Sequence, residues 1–533
     1  MFIYFPLILI SILGYGFFVS NKLIGINNYN IGYQGIVGIF SLLLISYTST
    51  QFIAHSVIFN TLILIIGFIL FLIYLKKTRL NKKDFKLLFV ITFFGIIFIL
   101  VGKNHDDFHY YHFPYIVILT EYAHPLGLGN LNLGFNTHSS IFLLSSLFHL
   151  PGAKYSLFHL APAYIVIFSN YIILKLIFNN EIQKKYNFIT FLSLSSLVFI
   201  NVFFSRLGEH GTDRSAMVLI ILLITNMLYF VNKNGKKIDD NFLKFFTIIF
   251  TIIVSLKAFY LIYFIILIPL IVHVYKKTKS IKLFFNMNLL YCLCLFGFVL
   301  ITNFFNTGCL LFPEKKTCFF NVPWSLTLDT VEYLSIHYEN WAKAGSGAGY
   351  ALANSDKLNY ISNLNWVDNW LDRYFFNKVS DLIYALLFTS LIFILVFKGL
   401  RSTRIFNRKY KSLSFLLLTI FLTWFLLHPS LRYGGYHLFF FLFFIPISIF
   451  LEKFNKNVSN LNNKIMLIVM ITVLIFLGRN SNRLVKEYKV NSYNPFVSVN
   501  YPLRDGFRYQ EKMKKKIKEN EAKEIYKNRY IFF

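Results

Sequence analysis

Charged residues are scarce in this chain, and their scarcity excludes a soluble globular protein. Asp, Glu, Lys and Arg make up 14% of the 533 residues, whereas a soluble domain carries about a quarter. Apolar residues make up 56% of the chain, including 64 Phe. The composition therefore predicts an integral membrane protein.

Acidic residues are fewer than basic ones, 24 against 53, and the formal net charge is +29. Such an excess can attract nucleic acid, but here the Lys and Arg residues are spaced between hydrophobic runs. In that position they serve as anchors against anionic lipid. We therefore predict the membrane as a partner and exclude nucleic acid.

Two further features are missing. Residues 1–20 lack the basic start and the small-residue cleavage motif of a secretory signal, so we interpret them as a retained span. The centres of the predicted spans are nearly free of ionisable residues, which cost roughly 2.5–3.5 kcal/mol at mid-bilayer and mark the pathways of carriers and pumps. This absence, with no pair of halves containing matched broken helices, argues against an inverted-repeat carrier.

Long apolar runs dominate what is present. A bilayer takes about 20 helical residues, and the runs predict an all-α polytopic membrane protein with about 14 transmembrane helices. These runs lie near residues 1–20, 34–49, 52–75, 86–101, 157–178, 187–204, 215–231, 245–256, 258–275, 283–303, 379–397, 412–427, 436–451 and 465–478.

Short connections rich in Lys and Arg indicate the cytoplasmic side of a bacterial-type inner (plasma) membrane. They share one face only if residues 245–275 form a two-helix hairpin with its tip at Lys257. The Lys- and Arg-rich connections are KKTRLNKKDFK (76–86), NKNGKK (232–237), KKTKSIK (276–282) and KGLRSTRIFNRKYK (398–411). The external face then receives both termini and residues 205–214, 304–378 and 428–435.

The cysteines agree with this orientation. Cys309 and Cys318, in GCLLFPEKKTC, fall in the predicted external loop, where an oxidising compartment favours a disulfide between them. Cys292 and Cys294 lie within a predicted span and point to different helix faces, which favours packing over metal binding.

The stretch GKNHDDFHYYHFPY (102–115) gathers three histidines and two adjacent carboxylates directly after a predicted span. From Asp107 onward, apolar and polar residues alternate as in a short amphipathic helix lying at the membrane interface, kinked by Pro114. A second short apolar segment, residues 139–150, is predicted to lie on the surface or to re-enter the membrane.

This order of span, acidic pair and two short helices resembles the first external loop of the GT-C superfamily of polytopic glycosyltransferases. The similarity continues in a second short external loop, SRLGEHGTDRS (205–215), and a long loop later in the chain. The resemblance implies a GT-C-like arrangement of the chain, preceded by three additional spans. Its parts are an N-terminal extension (1–80), a transmembrane module (81–303) with external loop 102–138, an external loop (304–378), C-terminal helices (379–478) and a polar basic tail (479–533).

The resemblance also implies an activity, namely transfer of a sugar from a polyprenyl-phosphate donor to a lipid or glycan acceptor on the non-cytoplasmic face, with inversion. Such a transfer needs a carboxylate base and positive charge at the departing phosphate. The candidate bases are Asp106 and Asp107, whose mutual repulsion a divalent cation or Lys103 would offset. The candidate substrate- and phosphate-binding residues are Lys257, Arg432, Arg206, Arg214, Glu209 and Asp213.

Each candidate has an alternative explanation. Asp106 or Asp107 can cap a helix, and Asp213 can cap the span that follows it. The spacing of His105, His109 and His112 suits a metal site, although histidine also favours membrane interfaces.

Lys257 can extend to the interface, and Arg432 can anchor its turn. Two alternative functions also stay open: a carrier or flippase for a lipid-linked saccharide, and a polysaccharide polymerase or ligase.

Overall fold

A computed structural model describes residues 2–26, 30–77, 81–100, 107–153, 155–205, 211–233, 238–346, 357–399, 411–454, 458–491, 511 and 514–515. These residues form helices, turns and one isolated antiparallel bridge between Cys309 and Cys318. The predicted all-α fold class is therefore confirmed. The α-helices are α1 (Tyr4–Phe18), α2 (Ile31–Thr50), α3 (Val57–Lys77), α4 (Lys82–Gly95), α5 (Ile97–Leu100), α6 (Phe113–Glu121), α7 (Leu128–Leu131), α8 (Ser140–Ser146), α9 (Ala161–Ile177), α10 (Asn180–Lys185), α11 (Asn187–Val198), α12 (Gly211–Asn232), α13 (Asp240–Leu256), α14 (Leu267–Thr278), α15 (Met287–Thr307), α16 (Leu328–Lys343), α17 (Lys357–Ile361), α18 (Val367–Trp370), α19 (Ser380–Phe397), α20 (Lys411–Leu427), α21 (Gly435–Glu452) and α22 (Val458–Asn491).

Shorter π-helical and 3₁₀ segments extend or join these helices. The π-helical segments are Val19–Ile24, Phe108–His112, Phe199–Phe203 and Leu371–Val379. The 3₁₀ segments are Leu133–Asn136, Phe158–Leu160, Ala258–Ile266, Lys282–Phe284, Lys315–Thr317 and Leu431–Tyr433.

Ten helical segments among the described residues are long and apolar enough to cross a membrane. The predicted count of fourteen is not confirmed, because the runs near 86–101, 187–204, 245–256 and 412–427 form helices shorter than 18 residues. The ten long segments are Tyr4–Ile24, Ile31–Thr50, Val57–Lys76, Phe158–Ile177, Gly211–Asn232, Ala258–Thr278, Met287–Thr307, Val367–Phe397, Gly435–Glu452 and Asn460–Val490.

Helices α9 and α12 form the centre of the helix bundle, because 89% of the apolar 18-residue stretch in each of these two spans is buried inside the protein. Helix α3 lies at the periphery, because only 17% of its apolar stretch is buried. An exposed apolar helix of this length is suited to face lipid.

The first three helices pack against one another through glycines. A Cβ added to Gly14 of α1 would lie 1.8 Å from the carbonyl oxygen of Gly67 in α3, so only glycine permits this approach of two backbones. Helix α2 also contacts α9, α8, α13 and α15. The N-terminal helices are thus joined to the rest of the helix bundle.

The structure contains the predicted helix after Asp107, but other parts of the protein enclose most of it. The π-helical segment Phe108–His112 continues directly into α6, and residues 113–120 are all buried. Pro114 lies in the first turn of α6, directly after the π-helical segment. The reason for the burial is that FPYIVILT is apolar on every face, which is typical of an enclosed helix.

Helix α8, within the second short segment, is also buried along its whole length. It packs against α2 and α6 and is therefore enclosed by the protein.

The C-terminal span does not end near residue 478 as predicted. Helix α22 continues unbroken to Asn491 and carries the first residues of the basic tail. Further along the tail, Lys514 Nζ lies 2.7 Å from Glu121 Oε1 at the end of α6.

Candidate functional site

Four charged side chains from distant segments meet at one end of the helices. Arg432 pairs with Asp107 through Nη2 and Oδ2, and its Nε lies 2.6 Å from Asp213 Oδ2. Lys257 Nζ pairs with the other carboxylate oxygen of Asp213, Oδ1. We call Asp107, Asp213, Lys257 and Arg432 the charge cluster.

Breaks between helices position three of these residues. Asp107 directly precedes the π-helical segment Phe108–His112, at the entrance to α6. Lys257 separates α13 from the 3₁₀ segment Ala258–Ile266, and its backbone is extended, with φ −159° and ψ 119°. Arg432 lies in the 3₁₀ turn Leu431–Tyr433 between α20 and α21. These side chains therefore emerge where the helices end.

The turn that carries Arg432 is held on both sides. The indole Nε1 of Trp424 donates to the carbonyl oxygen of Ser430 at 2.9 Å, and the backbone N–H of Leu431 donates to Tyr374 Oη at 2.8 Å. Gly434 ends the turn with φ 111°, a conformation that favours glycine. The guanidinium is therefore presented by a fixed backbone.

Asp213 is the hub of the cluster. Its side chain is 7% exposed, against 26% for Asp107 and 33% for Arg432. It lies in the first turn of α12, where the helix dipole also favours a negative charge. The formal charges of the four residues cancel, so an incoming anion must compete with the carboxylates for Arg432 and Lys257.

The two cations differ in their proton affinity. Burial lowers the pKa of Lys257, and the neighbouring Asp213 opposes only part of that shift. Burial also disfavours the charged form of Arg432, but Asp213, Tyr111 and Asp107 together hold its pKa well above the usual value. Arg432 is therefore the permanent cation of the cluster.

Aromatic side chains surround the cations. Lys257 Nζ lies 4.1 Å from the ring centroid of Tyr433, a favourable cation–π distance. The rings of Trp341 and His428 both lie 5.8 Å from that of Tyr433. Burial raises the pKa of Tyr433 to about 12, so its hydroxyl stays protonated and able to donate a hydrogen bond.

The predicted external loop reaches this site through α16, whose Trp341 contacts Tyr433. A disulfide joins Cys309 and Cys318 in the hairpin that precedes α16. Trp324 fastens this hairpin, since its Nε1 donates to the carbonyl oxygen of Phe304 at 3.1 Å and its own carbonyl accepts from Asn130 Nδ2 at 2.8 Å.

A buried polar network joins α2 to α6 and to the segment before α8. The hydroxyl of Tyr47 in α2 lies 2.7 Å from His138 Nε2 and 2.7 Å from Ser140 Oγ. The other ring nitrogen of His138 lies 3.2 Å from the hydroxyl of Tyr115 in α6. Helix α2, one of the N-terminal helices that the resemblance does not explain, thus holds the part of the predicted loop 102–138 that follows Asp107.

A family model matches residues 1–440, which is most of the chain. The chain belongs to this family, described as Domain of unknown function (DUF8201). The DUF8201 region contains all four residues of the charge cluster, with Arg432 close to its end. No curated protein and no solved structure matches the chain.

The structure brings together four of the site residues predicted from the sequence: Asp107, Asp213, Lys257 and Arg432. Arg214 lies over the ring of Phe204, with its guanidinium carbon 5.5 Å from the ring centroid. The candidates Asp106, His105, Arg206 and Glu209 lie outside the described residues.

The predicted metal trio stays a prediction. His112 is buried and its ring lies against Tyr111 and Phe142, with centroid distances of 4.3 Å and 4.9 Å. The side chain of His109, like the whole of His105, is outside the described part of the chain. Within that part, no three His, Cys, Asp or Glu side chains are placed to hold a metal ion.

Sequence reasoning missed the aromatic residues around the cations. Tyr433 follows Arg432 directly, and Tyr111 lies four residues after Asp107, so each was close to a residue already singled out. A helical spacing of four places two side chains on one face. The abundance of aromatic residues in this chain, 19%, hid that signal.

Proposed function

We propose that this chain is a GT-C-type membrane glycosyltransferase that transfers a sugar from a polyprenyl-phosphate donor to a lipid or glycan acceptor on the non-cytoplasmic face. The proposal rests on the charge cluster, in which Arg432 pairs with Asp107, and Asp213 pairs with both Arg432 and Lys257. Carboxylate and cations side by side are what an inverting transfer from a phosphate leaving group requires.

The positions of the basic connections support the non-cytoplasmic side. Asp213 begins α12 and Lys257 follows α13, whereas the basic connection 232–237 joins the opposite ends of these helices. By the positive-inside rule, the basic connection faces the cytoplasm and the charge cluster faces outward. The membrane proposed is the inner (plasma) membrane.

In the proposed reaction, the donor phosphate binds Arg432 and Lys257 in competition with the carboxylates. A guanidinium binds phosphate oxygens with two parallel N–H bonds, which suits Arg432 to this role. Drawing Arg432 toward the phosphate weakens its pairing with Asp107. The Asp107 carboxylate then becomes available as a base.

The acceptor hydroxyl oxygen attacks the anomeric carbon, and its proton passes to Asp107, with the adjacent Asp106 orienting it. The bond from the anomeric carbon to the phosphate oxygen breaks, and the phosphate keeps the electron pair beside Arg432 and Lys257. A divalent cation near Asp106 and Asp107 is a further part of the proposal, since it would offset the repulsion of the two carboxylates.

The test uses purified protein in proteoliposomes with a panel of tritiated polyprenyl-phosphate hexoses and pentoses. Transfer to an added acceptor lipid supports the enzyme, and R432Q is expected to lower it at least 100-fold. The matched control is D84N, which removes another Asp that is ion-paired, with Lys175 Nζ at 2.8 Å.

Two results would overturn the proposal. Movement of the labelled lipid to the lumen without transfer would identify a carrier or flippase. Joining of whole glycans with no transfer from any single-sugar donor would identify a polymerase or ligase.

A further inference from the structure

The end of α13 positions Lys257 of the charge cluster. The helix ends at Leu256, and Lys257 follows with an extended backbone, so its side chain leaves at the helix end. The last carbonyl oxygens of a helix have no partner within it. One of them, that of Ser255, accepts a hydrogen bond from Ser140 Oγ at 2.8 Å. Ser140 is the first residue of α8, so α8 caps the helix end that carries Lys257.

Hydrogen counting fixes the direction of the bonds behind Ser140. A carbonyl oxygen only accepts, so the single hydroxyl hydrogen of Ser140 bonds to Ser255. The hydroxyl of Tyr47, 2.7 Å from Ser140 Oγ, must therefore donate to it. His138 Nε2 lies 2.7 Å from Tyr47 Oη and must donate in turn, because the tyrosine hydrogen is already used. The three side chains thus form a chain in which each bond requires the next.

The other ring nitrogen of His138 continues the chain. Burial and the nearby His124 lower the pKa of His138, so the ring is neutral and Nδ1 accepts from Tyr115 Oη at 3.2 Å. Tyr115 accepts in turn from Asn306 Nδ2 at 3.1 Å. The amide orientation of Asn306 follows from its other bonds, since Nδ2 lies 3.4 Å from the carbonyl oxygen of Phe135 and Oδ1 lies 2.9 Å from His124 Nε2. The chain therefore runs without a gap from His124 to the end of α13.

The chain lies within the protein, where its bonds are costly to break. Tyr47, Tyr115, Ser140 and Asn306 are all fully buried. Removing one partner leaves the other without a hydrogen bond, which is unfavourable for a buried polar group. These four residues belong to α2, α6, α8 and α15, so the end of α13 is fastened to four other helices.

We propose that Ser140 is a positioning residue for Lys257, and that the hydrogen-bond chain behind it holds the end of α13 so that the ammonium group reaches Asp213. Lys257 Nζ pairs with Asp213 Oδ1 although the lysine side chain is 23% exposed. A helix end without its cap would therefore let the ammonium group turn toward water. This role does not depend on the proposed transfer, because the ion pair is present without any ligand.

Carbon-13 NMR of the full-length protein in detergent tests this role. Reductive methylation with labelled formaldehyde gives each accessible lysine two methyl groups, and the dimethylammonium group keeps its charge and one N–H for an ion pair. The Lys257 signal is the one missing from K257R, and D213N shows its position without the ion pair. In S140A the signal should move from its wild-type position toward its D213N position.

The matched control is S146A. Ser146 is a fully buried serine of the same helix. Its hydroxyl donates to the carbonyl oxygen of Leu143 at 2.7 Å and lies 2.7 Å from His55 Nδ1, and neither partner belongs to α13. The Lys257 signal should therefore stay in place in S146A. Y47F keeps the aromatic ring and removes the donor to Ser140, so it replaces S140A if that variant fails to fold.

A Lys257 signal at its wild-type position in S140A, or in Y47F where that variant is used, would overturn the proposal. An equal movement in S146A would do the same. A double-mutant cycle gives an independent measurement. The loss of unfolding temperature caused by S140A should be smaller in a K257M background than in wild type, whereas the loss caused by S146A should be the same in both. Equal losses from S140A in the two backgrounds would show that Ser140 does not act through Lys257.

Discussion

Arg432 Nε lies 2.6 Å from Asp213 Oδ2, although 219 residues separate the two in the chain. Through this pair and the pairing of Asp213 with Lys257, one buried carboxylate holds the turn before α21 and the break after α13 against the start of α12. The geometry of the whole charge cluster therefore depends on Asp213.

D213N should destabilise the protein by about 2–3 kcal/mol, because two cations lose their shared counter-ion. Fully buried pairs lose about 3–5 kcal/mol, and the partial exposure of Arg432 reduces that cost. Thermal unfolding in detergent measures the effect. D84N is the control, since its more exposed pair should contribute about 0–1 kcal/mol.

The double variant D213N/K257M should recover part of the stability lost in D213N, since it removes one of the two stranded cations. If D213N unfolds at the same temperature as D84N, Asp213 is not the hub of the cluster.

Acid should destabilise the protein partly through His428. Burial, with Lys257 and Lys343 nearby, lowers the pKa of His428 from 6.5 to about 4. Between these values the unfolded chain binds a proton that the folded protein does not, so stability falls as the pH drops from 6.5 toward 4. H428Q removes this contribution.

The unfolding temperature of H428Q should therefore fall less than that of wild type between pH 7 and pH 5. The comparison is made within each protein, so a constant effect of the substitution cancels. Identical pH dependence in the two proteins would show that His428 titrates normally in the folded state.

Thiol labelling should distinguish two pairs of cysteines. Of the four cysteines, Cys309 and Cys318 form a disulfide and Cys292 and Cys294 are free. Under denaturing conditions without reductant, a maleimide reagent should add to two positions, and after reduction to four. In the control variant C309S/C318S, the number of labelled cysteines should stay at two with and without reductant. Four labels on unreduced wild-type protein would contradict an external, oxidising location of the disulfide.

Residues at the breaks between helices could be predicted from the sequence better than the surroundings into which each helix or side chain packs. Lys257 and Arg432 stood out because each interrupts apolar helices, and a charged residue at such a break lies at a helix end. The role of Asp213 was not decidable, since an Asp that caps a helix and an Asp that binds two cations occupy the same position in a sequence.

Environments depend on neighbours that the local pattern does not contain. The segments that form α6 and α8 are short and apolar, which is compatible with the membrane surface and with the interior. The packing of α8 against α2, and of α6 against α8, places both in the protein interior. Likewise, the polar residues after Gly478 indicated the end of a span, but they continue α22, and Arg479 there donates to the carbonyl oxygen of Val202.

The separation of binding from transfer in D107N tests the central claim most directly. Donor binding is followed by the intrinsic fluorescence of the five tryptophans, of which Trp341 lies beside the cations, 5.8 Å from Tyr433. Transfer is followed by the proteoliposome assay. D107N should bind polyprenyl phosphate at least as tightly as wild type, because one carboxylate that competes for Arg432 is gone. It should transfer sugar at least 100-fold more slowly, because it loses the base. Transfer by D107N at the wild-type rate would contradict the account.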